Sequence, residues 1–181
     1  MVLDEAYLEY VEDADHVNGV TVLAQFPNLI VTRTFSKIYG LAAVRFGYSV
    51  SNPAFADLLN RARQPFNVNS LAMAAVMAAL EDDDYVAQSI ALNRAGMKQM
   101  TEGLTALGYD FIPSAGNFVA FNCGESGADL FQRMLKEGVI VRAIAEYGLP
   151  NHVRVSIGLA AENERFLAVL GKVGALSLIH I

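Results

Sequence analysis

Tryptophan is absent from this 181-residue sequence, and cysteine and histidine are scarce, with one and three residues respectively. The single cysteine, Cys123, cannot form an internal disulfide, which is typical of a protein in a reducing compartment. We therefore expect it to be a small buried side chain rather than a catalytic thiol. His16, His152 and His180 lie far apart, without the spacing of metal ligands, so we assign them no metal chemistry.

Basic charge and long hydrophobic runs are also lacking. The sequence has 13 lysines and arginines against 19 aspartates and glutamates, a net charge of −6, and no basic cluster that would indicate a nucleic-acid partner. The longest apolar run, residues 71–80, is too short to cross a bilayer, and the first residues resemble no secretion signal. Hydrophobic residues make up 54% of the sequence and charged residues 18%. We therefore expect a globular cytoplasmic protein with a large core.

The most informative stretch is residues 34–47, which read Thr-Phe-Ser-Lys-Ile-Tyr-Gly-Leu-Ala-Ala-Val-Arg-Phe-Gly. It follows the apolar, β-branched residues 29–32, which predict a buried strand. Thr34, Ser36, Lys37 and Arg45 would then lie near the end of that strand. A lysine amine can attack an aldehyde, and hydroxyls with a guanidinium can bind a phosphate. Lys37 taken alone is better explained as a solvated lysine, so its neighbours must decide.

A second strand is predicted to end next to the first. Residues 2–7 have the pattern of a buried strand that runs into a polar loop, and residues 20–26 form a weakly helical pattern that ends at Pro27. A strand, a short crossover and another strand make a βαβ unit with parallel strands. This pairing would bring Asp4 and Tyr7 to the sheet edge that carries Lys37. Ligands bind at that edge in open α/β sheets.

The rest of the chain predicts an α/β fold in which helices and strands alternate. We expect asparagine caps at Asn52 and at Asn69 or the adjacent Ser70, and helix ends at Gly108 and Gly138. The character of the sequence changes after residue 107, so residues 108–175 are predicted to form a small C-terminal α/β domain. The expected helices are residues 53–63, 70–80, 85–107, 127–136 and 161–173, and the expected strands are residues 44–50, 117–122, 139–142 and 152–158.

Three segments together resemble one enzyme family. They are Asp-Glu-Ala-Tyr at residues 4–7, Thr-Phe-Ser-Lys at residues 34–37 with Arg45, and Val-Arg-Val-Ser-Ile-Gly at residues 153–158. Residues 64–70, 113–119 and 147–150 extend the match, which covers residues 2 to about 173. The set resembles fold-type I aminotransferases, which depend on pyridoxal phosphate (PLP), and among them the histidinol-phosphate aminotransferase family. The resemblance implies that residues 1–107 are the C-terminal part of a PLP-binding large domain, a mostly parallel sheet with helices, and that they include a long interdomain helix.

The resemblance also implies roles for individual residues. Lys37 matches the lysine that forms a Schiff base with the cofactor aldehyde and then moves a proton during amino transfer. Asp4 would keep the pyridine nitrogen of PLP protonated, and Tyr7 would donate to its phenolic oxygen. The cofactor phosphate would be bound by Thr34, Ser36 and Arg45.

The implied substrates are histidinol phosphate and 2-oxoglutarate, or in reverse imidazole-acetol phosphate and glutamate, in histidine biosynthesis. Arg154 matches the arginine that binds the substrate carboxylate and could also bind the substrate phosphate, and Asn117 resembles a position that contacts substrate. A homodimer is expected, with no nucleic-acid or membrane partner. Aromatic amino-acid aminotransferases and a PLP-dependent decarboxylase of threonine phosphate share much of the pattern and are the alternatives.

Each residue alone also has a structural explanation, such as a strand-end cap for Asp4 or a surface arginine for Arg154. Their joint identity and spacing favour the functional interpretation. Family members are considerably longer, so we expect an N-terminally truncated fragment with a non-native or disordered tail at residues 176–181. A fragment that only binds cofactor or a partner subunit is the second hypothesis.

Overall fold

The computed structural model describes residues 1–175. The predicted tail at residues 176–181 lies outside the described residues. The chain divides by packing into two compact units, residues 1–90 and the residues from Ala91 onward. The predicted domain boundary after residue 107 stays a prediction.

A three-stranded sheet organises the first unit, with strands β1 (Val2–Asp4), β2 (Ile30–Thr34) and β3 (Gly47–Ser51) in that order. β1 and β2 are parallel, with Asp4 opposite Thr32, which confirms the predicted pairing. β3 runs antiparallel to β2 and pairs Gly47 with Thr34. The carboxyl ends of β1 and β2 therefore share one edge.

The connection between β1 and β2 differs from the prediction. Instead of a helix over residues 20–26, it contains two short 3-10 turns, first Leu8–Tyr10 and then, where the helix is predicted, Gly19–Val22. The side chain of Asn18 accepts a hydrogen bond from the amide of Val20 (3.0 Å) and caps this turn. Gly19 is buried, and an added Cβ would lie only 2.6 Å from the side chain of Leu3. Gly19 thus anchors the turn closely against β1.

Two asparagine-capped helices follow, α1 (Pro53–Ala62) and α2 (Ser70–Ala79). Asn52 accepts from the amide of Phe55 (3.0 Å) and Asn69 from that of Ala72 (2.8 Å), as helix N-caps do. In α2 only Ala72 and Val76 are buried, although almost every residue of the helix is apolar. The helix therefore presents a large apolar surface.

The long helix α3 spans Asp83–Ala106, and the packing division falls within it. It ends as predicted, because Gly108 adopts a left-handed conformation with φ of +79°. The amide of Tyr109 then donates to the carbonyl of Leu104 at 2.9 Å, which satisfies one of the helix's last acceptors.

A four-stranded antiparallel sheet organises the second unit. Helix α4 (Gly127–Lys136) lies between its second and third strands in sequence, and helix α5 (Ala160–Ala175) follows the last. The strands are β4 (Phe111–Ile112), β5 (Phe118–Asn122), β6 (Arg142–Ile144) and β7 (Leu149–Ser156), arranged in the order β4-β5-β7-β6.

One strand of this unit begins later than the sequence pattern predicts. The predicted strand at residues 139–142 pairs only from Arg142 onward. The amide of Val139 donates to the carbonyl of Met134 at 3.0 Å, so this residue completes the end of α4 instead. Val141 is buried in the core without joining the sheet. Burial, rather than strand pairing, explains its apolar character.

The two faces of the second sheet have different neighbours because side chains alternate along a strand. Val119, Phe121, Val153 and Val155 point into the core, where they meet residues of α3, α4 and α5. Arg154 lies between the last two of these and so points to the opposite face. The helical side of the core contains Met100, Leu104, Leu130, Met134, Phe166 and Leu170.

Among residues 1–175, no helix combines the length and the hydrophobicity needed to cross a membrane.

Candidate active site

Lys37 lies in a tight turn directly after β2. Phe35 and Ile38 on either side of it are almost completely buried, with 3% and 2% of their surface exposed. The amide of Gly40 donates to the carbonyl of Lys37 at 2.9 Å. Gly40 has φ of +67°, and an added Cβ would meet the hydroxyl of Tyr85 at 2.8 Å. The backbone that carries Lys37 is thus held by two buried side chains and a glycine turn.

The side chain of Lys37 extends over a tyrosine. Its Nζ lies 5.0 Å from the centre of the Tyr7 ring, a cation–π distance. Tyr7 follows β1 by three residues, in the loop that begins after Asp4. The predicted catalytic residues Lys37 and Tyr7 are therefore brought together by the parallel pairing of β1 and β2.

Asp4 ends β1 with an exposed carboxylate. Its Oδ1 accepts a hydrogen bond from the amide of Ala6 at 3.1 Å. The hydroxyl of Thr32 lies 3.5 Å from the same oxygen, which places Thr32 on the same face of the sheet. The carboxylate is thereby oriented but keeps an exposed oxygen for another partner.

Thr34, Ser36 and Arg45 converge beside the lysine turn. The amide of Ser36 donates to the Thr34 hydroxyl at 3.0 Å. One Nη of Arg45 lies 3.4 Å from the Ser36 hydroxyl and 2.7 Å from the carbonyl of Ala42. Two hydroxyls and an exposed guanidinium therefore form a donor cradle, which we define as Thr34, Ser36 and Arg45.

Arg45 adopts an unusual backbone conformation. It is one of two non-glycine residues with positive φ in the described part of the chain, at +57°. It follows the 3-10 turn Ala42–Val44, and its left-handed conformation reverses the chain toward β3. Such a conformation disfavours a residue with a Cβ. In this conformation, the side chain of Arg45 points back toward the hydroxyl of Ser36.

A buried ion pair, which sequence reasoning missed, lies beside these residues. Glu5 is 5% exposed, and its Oε2 accepts from Nε and Nη2 of Arg33 at 3.0 and 2.8 Å. Burial alone would lower the pKa of Arg33, but hydrogen bonds to Glu5 and Tyr48 outweigh it and raise that pKa. The available signal was a glutamate next to Asp4 at the end of an otherwise apolar strand.

Arg154 and Asn117, the predicted substrate residues, belong to the second unit. The guanidinium of Arg154 stacks 4.8 Å from the centre of the Phe118 ring. Across the sheet it is paired with Arg142, which forms an ion pair with Glu146 at 2.8 Å. The carbonyl of Asn117 accepts from the amide of Ile157 at 2.8 Å, just before β5 begins.

A cavity of about 300 Å³ in the second unit includes none of the predicted site residues. Burial raises the pKa of the Cys123 thiol, and its sulfur contacts the carbonyls of Glu125 and Asn151. A protonated, buried thiol is a weak nucleophile. Cys123 therefore gives this cavity no reactive nucleophile. Its lining consists of Leu107, Gly108, Tyr109, Asp110, Asn122, Cys123, Gly124, Glu125 and Gly174.

A comparison with known families identifies the family of the chain. Residues 1–170 match the model of the family described as aminotransferase class I and II. The chain belongs to this family. The resemblance inferred from the sequence motifs is thus confirmed.

Among curated relatives of this aminotransferase chain, histidinol-phosphate aminotransferase 2 of Pseudomonas fluorescens is 60% identical over 173 residues. The match covers 96% of the chain and 47% of the relative. The chain therefore spans about half the length of the curated relatives that it matches.

Solved structures confirm the expected fold class. Histidinol-phosphate aminotransferase from Sinorhizobium meliloti, in complex with pyridoxal-5'-phosphate, superposes with a TM-score of 0.88 at 32% identity, over 97% of this chain and 49% of that one. L-threonine-O-3-phosphate decarboxylase from Porphyromonas gingivalis gives 0.82 at 26% identity, over 95% and 54%. The aminotransferase chain thus has the α/β fold of fold-type I PLP enzymes, as part of the large domain and a small C-terminal α/β domain.

Burial also affects acidic groups around the lysine turn. It raises the pKa of the Glu9 carboxyl, which is half-buried, and it raises the phenol pKa values of Tyr10 and Tyr39. Because folding raises the Glu9 pKa, the folded state binds this proton more tightly than the unfolded state. The resulting contribution favours folding at low pH and is lost as pH rises through the raised pKa.

We predict that Glu9→Gln makes the protein more stable than the wild type at pH 7, because the variant has no charge to bury. The advantage should vanish near pH 4, about the unfolded carboxyl pKa. Urea unfolding at the two pH values measures it, with exposed Glu81→Gln as the matched control. An equal advantage at both pH values would contradict the assignment.

Proposed function

We propose that the full-length protein containing this chain transfers an amino group between histidinol phosphate and 2-oxoglutarate, or in reverse between glutamate and imidazole-acetol phosphate. The reaction would use PLP and belong to histidine biosynthesis. The observation that carries the proposal is that the Lys37 amine lies over Tyr7 at the sheet edge where the donor cradle also forms. The carboxylate of Asp4 ends the neighbouring strand at the same edge.

The chemistry of these groups fits PLP. A phosphate dianion needs several donors and a positive charge, which the hydroxyls of Thr34 and Ser36 and the guanidinium of Arg45 supply. The exposed Asp4 carboxylate suits a protonated pyridine nitrogen. Lys37 supplies the amine that an aldehyde requires. When bound, the protonated pyridine ring provides an electron sink for charge that develops at the substrate carbon.

Each side chain then has a defined task. Lys37 Nζ would hold the cofactor and, once released, could take up and return a proton as a base and then as an acid. Asp4 keeps the proton on the ring nitrogen by charge attraction. The Tyr7 hydroxyl donates to the phenolic oxygen of the ring. Arg45 would anchor the phosphate beside the turn that carries Lys37.

Arg154 is proposed to bind the anionic end of either substrate, and Asn117 to contact the substrate beside it. Stacking on Phe118 restricts the guanidinium of Arg154 to one orientation, which favours a planar carboxylate or phosphate partner. One arginine could then bind the carboxylate of glutamate and the phosphate of histidinol phosphate in turn.

The choice of substrate is supported by the curated relatives, which carry the name histidinol-phosphate aminotransferase at 50% to 60% identity. The decarboxylase of threonine phosphate, which has a similar fold, makes a related PLP enzyme the second candidate. An aromatic amino-acid aminotransferase is a further alternative. All three share much of the sequence pattern, so substrate measurements must distinguish them.

We further propose that the full-length protein is a cytoplasmic homodimer. The proposal is supported by the apolar surface around α2, where Phe66, Leu71 and Met77 are 97%, 79% and 58% exposed. An apolar surface of this kind is usually covered in an assembly. Sedimentation should give twice the mass of one full-length chain, and the mass of a single chain would contradict the dimer.

The cofactor assignment predicts that borohydride covalently fixes PLP to Lys37 of the full-length protein. Peptide mass spectrometry would locate the label, and Lys37→Ala should abolish it, whereas Lys98→Ala, which alters an exposed lysine, should not. Labelling of a different lysine would contradict the assignment. If the 181-residue chain is labelled like the full-length protein, it binds cofactor by itself; if only the full-length protein is labelled, the chain alone is an incomplete fragment.

The substrate assignment predicts a higher kcat/KM for histidinol phosphate than for phenylalanine or tyrosine, with 2-oxoglutarate as acceptor. The physical reason is that Arg154 can bind a phosphate dianion more strongly than a single carboxylate charge. Initial rates over a range of each amino donor measure this preference. Faster transfer from the aromatic amino acids, or release of carbon dioxide from threonine phosphate, would favour the alternatives.

A further inference from the structure

The Glu5–Arg33 pair differs from the other ion pairs of the described residues in its burial. The Glu5 side chain is 2% exposed and that of Arg33 19%, and two guanidinium nitrogens bind the same carboxylate oxygen. The other carboxylate oxygen accepts from the amide of Gly19 at 2.6 Å. Both oxygens of the buried carboxylate are therefore satisfied from within the protein.

The ion pair connects β1, β2 and the turn between them. Glu5 follows β1, Arg33 lies in β2, and Arg33 Nη2 also donates to Oδ1 of Asn18 at 2.8 Å in the connecting turn. Gly19 in that turn packs so closely that an added Cβ would lie 2.9 Å from Val31 and 3.1 Å from Glu5. The turn is thus closed onto both strands through the ion pair.

Strand alternation places this pair opposite the proposed cofactor side. The amide of Glu5 donates to the carbonyl of Thr32 at 2.9 Å and continues the β1–β2 ladder by one residue. Asp4 meets Thr32 on one face, and Glu5 meets Arg33 on the other. A shift of β1 against β2 would break the ion pair and displace Asp4 at the same time.

We propose that Glu5 and Arg33 are positioning residues that hold Asp4 and Tyr7 in register with the lysine turn. The inference rests on the proposed function, because it concerns the geometry in which PLP is bound. Neither residue touches the donor cradle in a described contact. They act through the backbone, since Asp4 and Glu5 are adjacent, and Arg33 directly precedes Thr34.

Removal of one charge should loosen this edge. Glu5→Gln keeps the shape of the side chain but sets an amide donor against either the Arg33 guanidinium or the Gly19 amide, and Arg33 loses its buried counter-ion. Small displacements of binding groups have large effects, so we expect PLP to bind the full-length protein about tenfold or more weakly. The pH at which the absorbance of bound PLP changes should also move, since Asp4 would be displaced from the ring nitrogen.

The second unit offers a matched control. Glu125 and Arg133 form another partly buried pair, with side chains 19% and 30% exposed. Glu125→Gln should lower the stability of the protein without changing PLP affinity or the absorbance titration. Equal losses of PLP affinity in Glu5→Gln and Glu125→Gln would overturn the proposal, and so would unchanged affinity in Glu5→Gln.

The double variant Glu5→Gln/Arg33→Met separates positioning from stability. It removes both charges, so stability should recover relative to Glu5→Gln, while PLP affinity should stay low. Recovery of PLP affinity together with stability would overturn a positioning role.

A measurement without cofactor keeps this test independent of the proposed function. Hydrogen exchange of residues 1–10 in cofactor-free protein should be faster in Glu5→Gln than in the wild type, and unchanged in Glu125→Gln. If the wild type binds no PLP, the proposed function fails, but the exchange rates still test whether Glu5 holds residues 1–10 in place. Exchange as slow in Glu5→Gln as in the wild type would overturn the proposal.

Discussion

The parallel pairing of β1 with β2 is the constraint on which the candidate site depends. It brings two strand ends, which are separated by a long connection, to one edge of a sheet. Backbone hydrogen bonds set the spacing of this pair, but they repeat along the strands and do not by themselves select a register. The buried Glu5–Arg33 pair adds a contact that is satisfied in one register only. The position of Asp4 and Tyr7 relative to Lys37 therefore depends on the register of β1 against β2.

In the second unit, core-forming and charged side chains also lie on opposite faces of the sheet. Along β7, Val153 and Val155 enter the core and the intervening Arg154 points to the other face. The apolar neighbours secure the strand, and the arginine stacks on Phe118 without disturbing the core. In both units, residues that bury apolar or paired groups alternate with residues that present charge. Alternation in the strand thus lets one short motif pack the core on one face and present a charge on the other.

Several elements could be predicted because their causes are local. Asn52 and Asn69 cap their helices through hydrogen bonds to amides three residues later, and Gly108 and Gly138 end helices with positive φ. Errors arose where long-range packing decides. Residues 139–141 have strand-like composition, yet the amide of Val139 bonds to Met134 at the end of α4. Residues 20–26 have a helical pattern, yet only Gly19–Val22 form a 3-10 turn, in which Gly19 packs closely on Leu3 and Val31.

The sequence by itself determined the family, the likeness of its motifs to a PLP site and the identity of the residues near Lys37, because residue type and spacing are visible in one dimension. It also determined most helix ends, since caps act within a few residues. Only the tertiary structure decided that Thr34, Ser36 and Arg45 form one cradle, that the Lys37 amine lies over Tyr7, and that Glu5 is buried against Arg33. The last two contacts join residues far apart in the chain, and the cradle depends on the path of the chain between β2 and β3. Their partners are selected by strand register and burial, which no short segment encodes.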